Sequence, residues 1–271
     1  MRINTNISAL NAWKNLTITD SLMAKSLEKL SSGYRINRAA DDAAGLVISE
    51  KMRGQISGLR QASRNAQDGI SLIQTAEGAL NETHSILQRI RELAVEASSS
   101  TTATEDRDAI QGEVDSLISE IGRIAGSTKF NGTVLLDGTF AATILIGANS
   151  STVESLNFSI ADMTATGVGV LALDVSSVSA AQASLTTIDS GLNTVSESRA
   201  DMGAQQNRLE HTINNLNTAA ENLSAAESRI RDVDMALEMA TFTRHQILLQ
   251  AGTAMLAQAN VVPQTVLKLL G

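Results

Sequence analysis

Small and apolar residues recur in this chain at alternating three- and four-residue steps over two long stretches. The first runs through Leu59, Ala62, Ala66, Gly69, Ile73, Ala76, Leu80, Leu87, Ile90, Ala94 and Ala97. The second runs through Leu185, Ile188, Leu192, Val195, Met202, Leu209, Ile213, Leu216, Ala220, Leu223, Ile230 and Leu237. Such spacing holds one side of a helix against a partner helix along its whole length. Two seams of similar length, separated by turns, predict a chain that folds back on itself. The return helix, Leu185 to Leu237, would be about 80 Å long at 1.5 Å per residue. The composition agrees, being 43% hydrophobic but only 2% aromatic, with a single proline, Pro263. Ala, Leu and Ile fill helix seams without the large rings on which compact cores rely. The expected fold is mainly α: a long antiparallel helical bundle or coiled-coil rod with a small hairpin-rich β insert.

Residues 4–30 read as a first helix, with Ile3, Ile7, Leu10, Trp13, Leu16, Met23, Leu27 and Leu30 on a broad stripe. Gly33 suits the position after a helix end, where φ is often positive. The segment YRINRAADDAAG follows, and Asp41 or Asp42 is placed to cap a helix from about Ala43 to Ala97, with Ile48, Met52 and Leu59 facing inward. The pair Asp41-Asp42 reads as capping plus an ion pair with Arg35 or Arg38 rather than as acid–base machinery. Ser98 to Thr104 breaks the pattern. A third helix then carries Ile110, Val114, Leu117, Ile121 and Ile124. Asn131-Gly132 and Asp137-Gly138 suit hairpin turns, and TILIG and LNFSI are short β-type runs. Residues 127–176 are therefore expected to form a small β-rich insert at the rod tip, packed on helix ends. Arg199, Gln206, Glu227 and Asp234 interrupt the second seam and read as register-setting or solvent-reaching positions.

Net charge is −8, which disfavours nucleic-acid binding, since that needs a basic footprint. The charge is uneven. Residues 1–38 hold Arg2, Lys14, Lys25, Lys29, Arg35 and Arg38 against Asp20 and Glu28, and residues 239–271 contain no acid. Apolar ends with so little charge are expected to be covered by other subunits. The chain has no cysteine, which removes disulfides and thiolate sites. No stretch reaches the roughly 18 apolar residues of a membrane span, and MRINTNISAL has no apolar leader core. His84, His211 and His245 are scattered, and no HExxH, GxSxG or GxxxxGK[ST] pattern occurs. No enzyme and no cofactor is expected.

The stretch LSSGYRINRAADDAAGLVISEKMRGQI, Leu30 to Ile56, closely resembles the N-terminal signature of bacterial flagellins. INTNISALNA resembles their opening, and SRIRDVDMALEMA followed by ILLQAGTAMLAQANVVPQTVLKLL resembles their C-terminus. The similarity covers roughly residues 1–135 and 180–271, and the short insert is in the style of Bacillus-type flagellins.

This resemblance implies three regions. Residues 1–43 and 236–271 would be a terminal coiled coil, disordered in the monomer. Residues 44–126 and 177–235 would be the helical rod, and residues 127–176 the insert. It implies an extracellular filament subunit, exported unfolded and polymerised for motility. A hook–filament junction protein is the alternative. Self-assembly is expected to use Ile3, Ile7, Leu10, Leu16, Leu27, Leu30, Leu237, Leu248, Met255, Leu256, Val262, Leu267 and Leu270, with Gly33, Arg35, Arg38, Asp41 and Asp42 as a signature loop. The implied partners are the chain itself, an export chaperone at the C-terminal segment and the flagellar type III export apparatus. Filament cap and hook-junction proteins and a cytoplasmic assembly factor join them. The motif LQRIRELAV, with Arg89 and Leu93, and Glu113 match the patch seen by the vertebrate Toll-like receptor for flagellin. Their plainer role is an exposed ion pair between facing helices.

Overall fold

The computed structural model describes residues 6–149 and 154–270, with side chains to Val261. Of the expected assembly residues, Ile3 and the side chains of Val262, Leu267 and Leu270 lie outside the described residues. The elements in order are α1 (Ile7–Ser32), α2 (Ala43–Ala97), α3 (Thr104–Ser127), β1 (Lys129–Phe130), β2 (Thr133–Val134), β3 (Ala141–Leu145), β4 (Ser155–Ser159), α4 (Val178–Arg231) and α5 (Met235–Leu270). The chain forms two compact units. One is Gln55–Glu221, the other Met1–Gly54 with Asn222–Gly271. The divisions therefore fall inside α2 and α4.

In the Gln55–Glu221 unit the α2 seam is continuous. Ala62, Ala66, Gly69, Ile73, Ala76, Leu80, Leu87, Ile90, Ala94 and Ala97 are all buried. Thr83 fills the one position that the apolar pattern skips. It is 1% exposed and gives its hydroxyl proton to the Ala79 carbonyl at 3.1 Å, so the seam holds no unsatisfied polar group. On α4 the buried line is Ala181, Ser184, Ile188, Gly191, Val195, Met202, Leu209, Leu216 and Ala220. Leu185, Leu192 and Ile213, expected at its centre, flank it half-buried. A methyl group on Gly69 would stand 3.3 Å from Leu209 Cδ1, so glycine there lets α4 approach α2 closely. Arg199 leaves the seam to pair with Glu77 at 3.8 Å. Helix α3 contributes Val114, Ile118, Ile121 and Ala125 to the same core. The turn between α2 and α3 is tied by the buried Arg107, which donates to the Ala97 and Ser99 carbonyls at 3.0 and 2.9 Å.

The insert follows its turn chemistry. Asn131 and Gly132, both at positive φ, connect β1 to β2, and Gly138 and Gly169 also sit at positive φ. Strands β3 and β4 pair antiparallel with Ala141 opposite Ser159 and Leu145 opposite Ser155. Leu135, Leu136, Phe158, Ile160, Met163, Val170 and Val175 bury into the helical core itself. The contacts run along the helices and are not confined to their ends. Ile144 seats over Gly69, Asn65 Nδ2 donates to the Leu145 carbonyl, Val168 and Val170 crowd Gly191, and Gln111 bonds the backbone of Leu173 and Val175. A fifty-residue segment has too little apolar surface for a core of its own, and it gains one by lying along three helices.

Two further expectations are corrected. Ile48 is 46% exposed, and Gly45 and Ser49 occupy the inner face instead. The return helix is not continuous to Leu237. Helix α4 ends at Arg231, and Asp234 starts a new helix by accepting from the Ala236 and Leu237 N–H groups at 3.0 and 3.1 Å. Asp234 is thus a cap, and Leu237, 66% exposed, lies outside the seam.

Candidate functional site

The Met1–Gly54 and Asn222–Gly271 unit brings α1 and α5 together. Helices α1 and α5 run antiparallel along one another. Asn6, the cap of α1, donates from Nδ2 to the Ala259 carbonyl at 2.8 Å. Leu16 packs where a side chain on Gly252 would come within 3.0 Å of its Cδ1. Lys29 lies 3.8 Å from Glu238. These three contacts fix one register along the helix pair.

Pairing leaves much apolar surface open. Leu16, Leu30 and Leu256 are half-buried, but Ile7, Leu10, Leu27, Leu237, Leu248 and Met255 are between 49% and 66% exposed. Trp13, Ile18, Leu22, Met235, Met239, Ile247 and Val261 are exposed as well. These last stand outside the expected assembly set, although Trp13 lies on the α1 stripe. For the others the signal is composition, not period: a helix apolar around its circumference is covered on more than one side.

The signature loop ties the break after α1 to the break after α4. Gly33, at φ 74°, ends α1 and donates to the Lys29 carbonyl at 2.8 Å. Beyond it, Arg35 N–H donates to the Arg231 carbonyl at 2.6 Å and Val233 N–H to the Gly33 carbonyl at 3.0 Å. Tyr34 and Asp232 face each other across this short bridge. The Arg231 guanidinium lies 4.7 Å from the Tyr34 ring centre and bonds Glu50 at 2.5 Å. That hydrogen bond, helped by the charge of Arg53, holds the Glu50 carboxyl below its ordinary value. Asp42 caps α2 through the Gly45 N–H at 2.8 Å. A Cβ on Gly45 would collide with the Asp42 carboxylate, so the cap needs glycine there. Asp41 accepts from the Arg38 and Asn37 N–H groups, the Arg38 bond first in lowering its carboxyl. The expected ion pair of these acids with Arg35 or Arg38 does not form. Arg38 pairs with Glu28 at 2.8 Å, and Arg35 gives its guanidinium to the Ile230 carbonyl at 2.6 Å.

On the other unit, Arg89 on α2 and Glu113 on α3 form the expected pair, with nitrogen–oxygen distances of 2.9 and 3.1 Å on an exposed face. Glu92 adds a second carboxylate at 3.3 Å. Leu93, grouped with them, is 2% exposed and belongs to the core. A cleft of about 600 Å³ opens between β4 and α4, lined in part by Asn157, Met163, Glu197, Ser198 and Asp201. No group of three His, Cys, Asp or Glu side chains gathers at metal-binding distance among the described residues.

Two helices that fix each other in register and still present apolar side chains outward define a subunit built for association with like molecules. Comparison with known proteins gives the particular family. The bacterial flagellin N-terminal helical region matches residues 3–141, and the flagellin C-terminal helical region matches residues 185–270. A flagellin of Halalkalibacterium halodurans is 57% identical over the full length of both chains, and one of Bacillus subtilis is 51% identical with both covered completely. A Treponema maltophilum flagellar filament core protein is 51% identical, again over both whole chains. The crystal structure of Bacillus cereus flagellin superposes with a TM-score of 0.51 at 32% identity, covering 60% of this chain and 94% of that one. The chain belongs to the bacterial flagellin family. It is a structural subunit of the flagellar filament and not an enzyme.

Proposed function

We propose that this chain polymerises through α1 and α5 into the extracellular flagellar filament that drives motility. The observation that carries the reading is the apolar surface left open on a helix pair already locked in register. A monomer exposing Trp13, Ile247 and Met255 gains from burial against neighbours, at roughly 25 cal/mol per Å² of apolar area. Contacts that differ on the two sides of a subunit, and that do not close into a ring, give an open helical polymer.

Export fits the same surface. The acid-free segment 239–271 is suited to a chaperone that shields it before the flagellar type III apparatus takes the chain, unfolded, to the growing tip. A cytoplasmic assembly factor would act at that stage, and cap and hook-junction proteins would flank the polymer. Arg89 and Glu113 are the accessible part of the patch proposed for the vertebrate Toll-like receptor, since Leu93 is core.

Deleting residues 239–271 tests the central reading. The truncated chain should remain soluble and helical by circular dichroism and should form no filaments in electron micrographs when seeded. Normal filaments from it would reject the assignment of assembly to α5.

A further inference from the structure

We infer that the cleft between β4 and α4 is a docking site for Arg60 and Arg64 of a second copy of this chain. The inference rests on the self-association proposed above and adds a contact made outside the terminal helices. Glu197 and Asp201 stand one turn apart at the mouth of the cleft. Both are exposed, and among the described residues neither takes part in an ion pair or hydrogen bond. Like charges at this spacing repel along a helix, so they cost stability until a cation meets them. The insert brings no relief: residues 127–176 carry Lys129 as the only base, against Asp137, Glu154, Asp162 and Asp174. The cleft floor includes Met163 and Met202, which are nearly fully buried. Carboxylates above an apolar floor suit arginine, whose stem lies on apolar surface while its planar head bonds carboxylate oxygens in pairs.

The chain carries the matching group. Arg60 and Arg64 are exposed on α2 with the same one-turn spacing. Arg60 has no partner among the described residues, and Arg64 bonds only the Gln61 amide oxygen. The two patches cannot satisfy each other within one molecule. Arg199, between the two acids, lies beside Glu77 of α2. Glu77 is about fifteen residues along α2 from the arginine pair, or about 22 Å at 1.5 Å per residue. A second copy that lies parallel to the first and brings its arginines into this cleft is therefore displaced along the helices by about that distance. Patch and counter-patch differ, so the contact is heterologous, and it repeats as an open strand where the rotation between copies does not close. It supplies register along a strand of subunits, which non-directional apolar burial does not.

Two measurements decide it. The variants Arg60→Glu with Arg64→Glu, and Glu197→Lys with Asp201→Lys, should each raise the critical concentration for seeded polymerisation about tenfold, near 1.4 kcal/mol per contact. Combining all four should restore it to within about threefold, because the charges are exchanged and not removed. Circular dichroism of each monomer should match the parent chain. Separately, Arg64→Cys with Asp201→Cys in this cysteine-free chain, treated with a short bismaleimide, should give a ladder of cross-linked species from filaments and none from monomers. Filaments without a ladder, or two-site variants that polymerise like the parent, overturn the docking site and leave assembly through α1 and α5 standing. A parent chain that never polymerises when seeded overturns both.

Discussion

Glu50 and Arg231 are 181 residues apart in sequence and share one hydrogen bond beside the Tyr34 ring. That bond gives the joint a defined pH dependence. The folded state holds the Glu50 carboxyl below its ordinary value of 4.5, so folding binds fewer protons than the unfolded chain does in that range. The contribution is complete above pH 4.5 and is lost as the pH falls through the lowered folded value. Glu50→Gln should therefore lower the melting temperature at neutral pH, and the difference from the parent chain should shrink on acidification. Melting curves at a series of pH values measure this, and a constant difference would show that the Arg231 bond does not supply it. Much of this loop was legible residue by residue. Gly33 and the Asp42 cap follow from local conformational preference, which needs no knowledge of distant chain. The arginine partners were not legible. The backbone N–H groups of Asn37 and Arg38 claim the Asp41 carboxylate, and the acceptor of Arg35 is a carbonyl brought in by the far end of the chain. On the exposed face, Arg89→Asp puts three carboxylates together with Glu92 and Glu113. Signalling in receptor-bearing vertebrate cells should be lost with the helical spectrum unchanged, and retained signalling would remove Arg89 from the proposed patch.

Among the elements, α2 was the easiest to read because a period of seven survives along its length once Thr83 is counted as a seam residue. Ile48 shows where period alone misleads. It is a large apolar residue one step from the seam, and the smaller Gly45 and Ser49 take the inner face, where the Asp42 carboxylate and the Ile36 side chain lie against Gly45 and leave no room for a Cβ. The two positions predict opposite outcomes for the same chemical change. Leu80→Ala removes a side chain with 0% exposure and should cost about 2–5 kcal/mol in denaturant unfolding. Ile48→Ala, at 46% exposure, should change monomer stability by no more than about 0.5 kcal/mol. Equal losses at the two sites would contradict the observed seam. The break between α4 and α5 escaped the heptad count because Leu237 happens to fall in phase. Asp234 carried the missing signal, since an aspartate preceding an apolar run reads as a helix start. The placement of the insert had no local signal. Its turns follow from Asn-Gly and Asp-Gly, whereas its seat against Gly69 and Gly191 depends on glycines remote in sequence.

For the whole molecule, the terminal helices separate two demands that usually coincide: folding the monomer and building the polymer. Leu16 serves the first, being half-buried where α1 meets Gly252 of α5. Ile247, 60% exposed on α5, contributes little to that pairing and remains available to neighbours. Leu16→Glu should thus loosen the α1–α5 pair, seen as faster amide hydrogen exchange in both helices, because a carboxylate placed in a helix interface must be desolvated or push the helices apart. Ile247→Glu should leave monomer exchange rates unchanged, since its carboxylate stays in water. Its effect appears only on assembly, where each subunit would bury that charge against its neighbours without a cation within its own α5 segment other than Arg244 and Lys268. Sedimentation of seeded mixtures should then show Ile247→Glu chains staying in the supernatant at concentrations where the parent chain pellets. If they pellet equally, this face of α5 looks into solvent in the filament, and assembly is carried by the other exposed apolar side chains of α1 and α5.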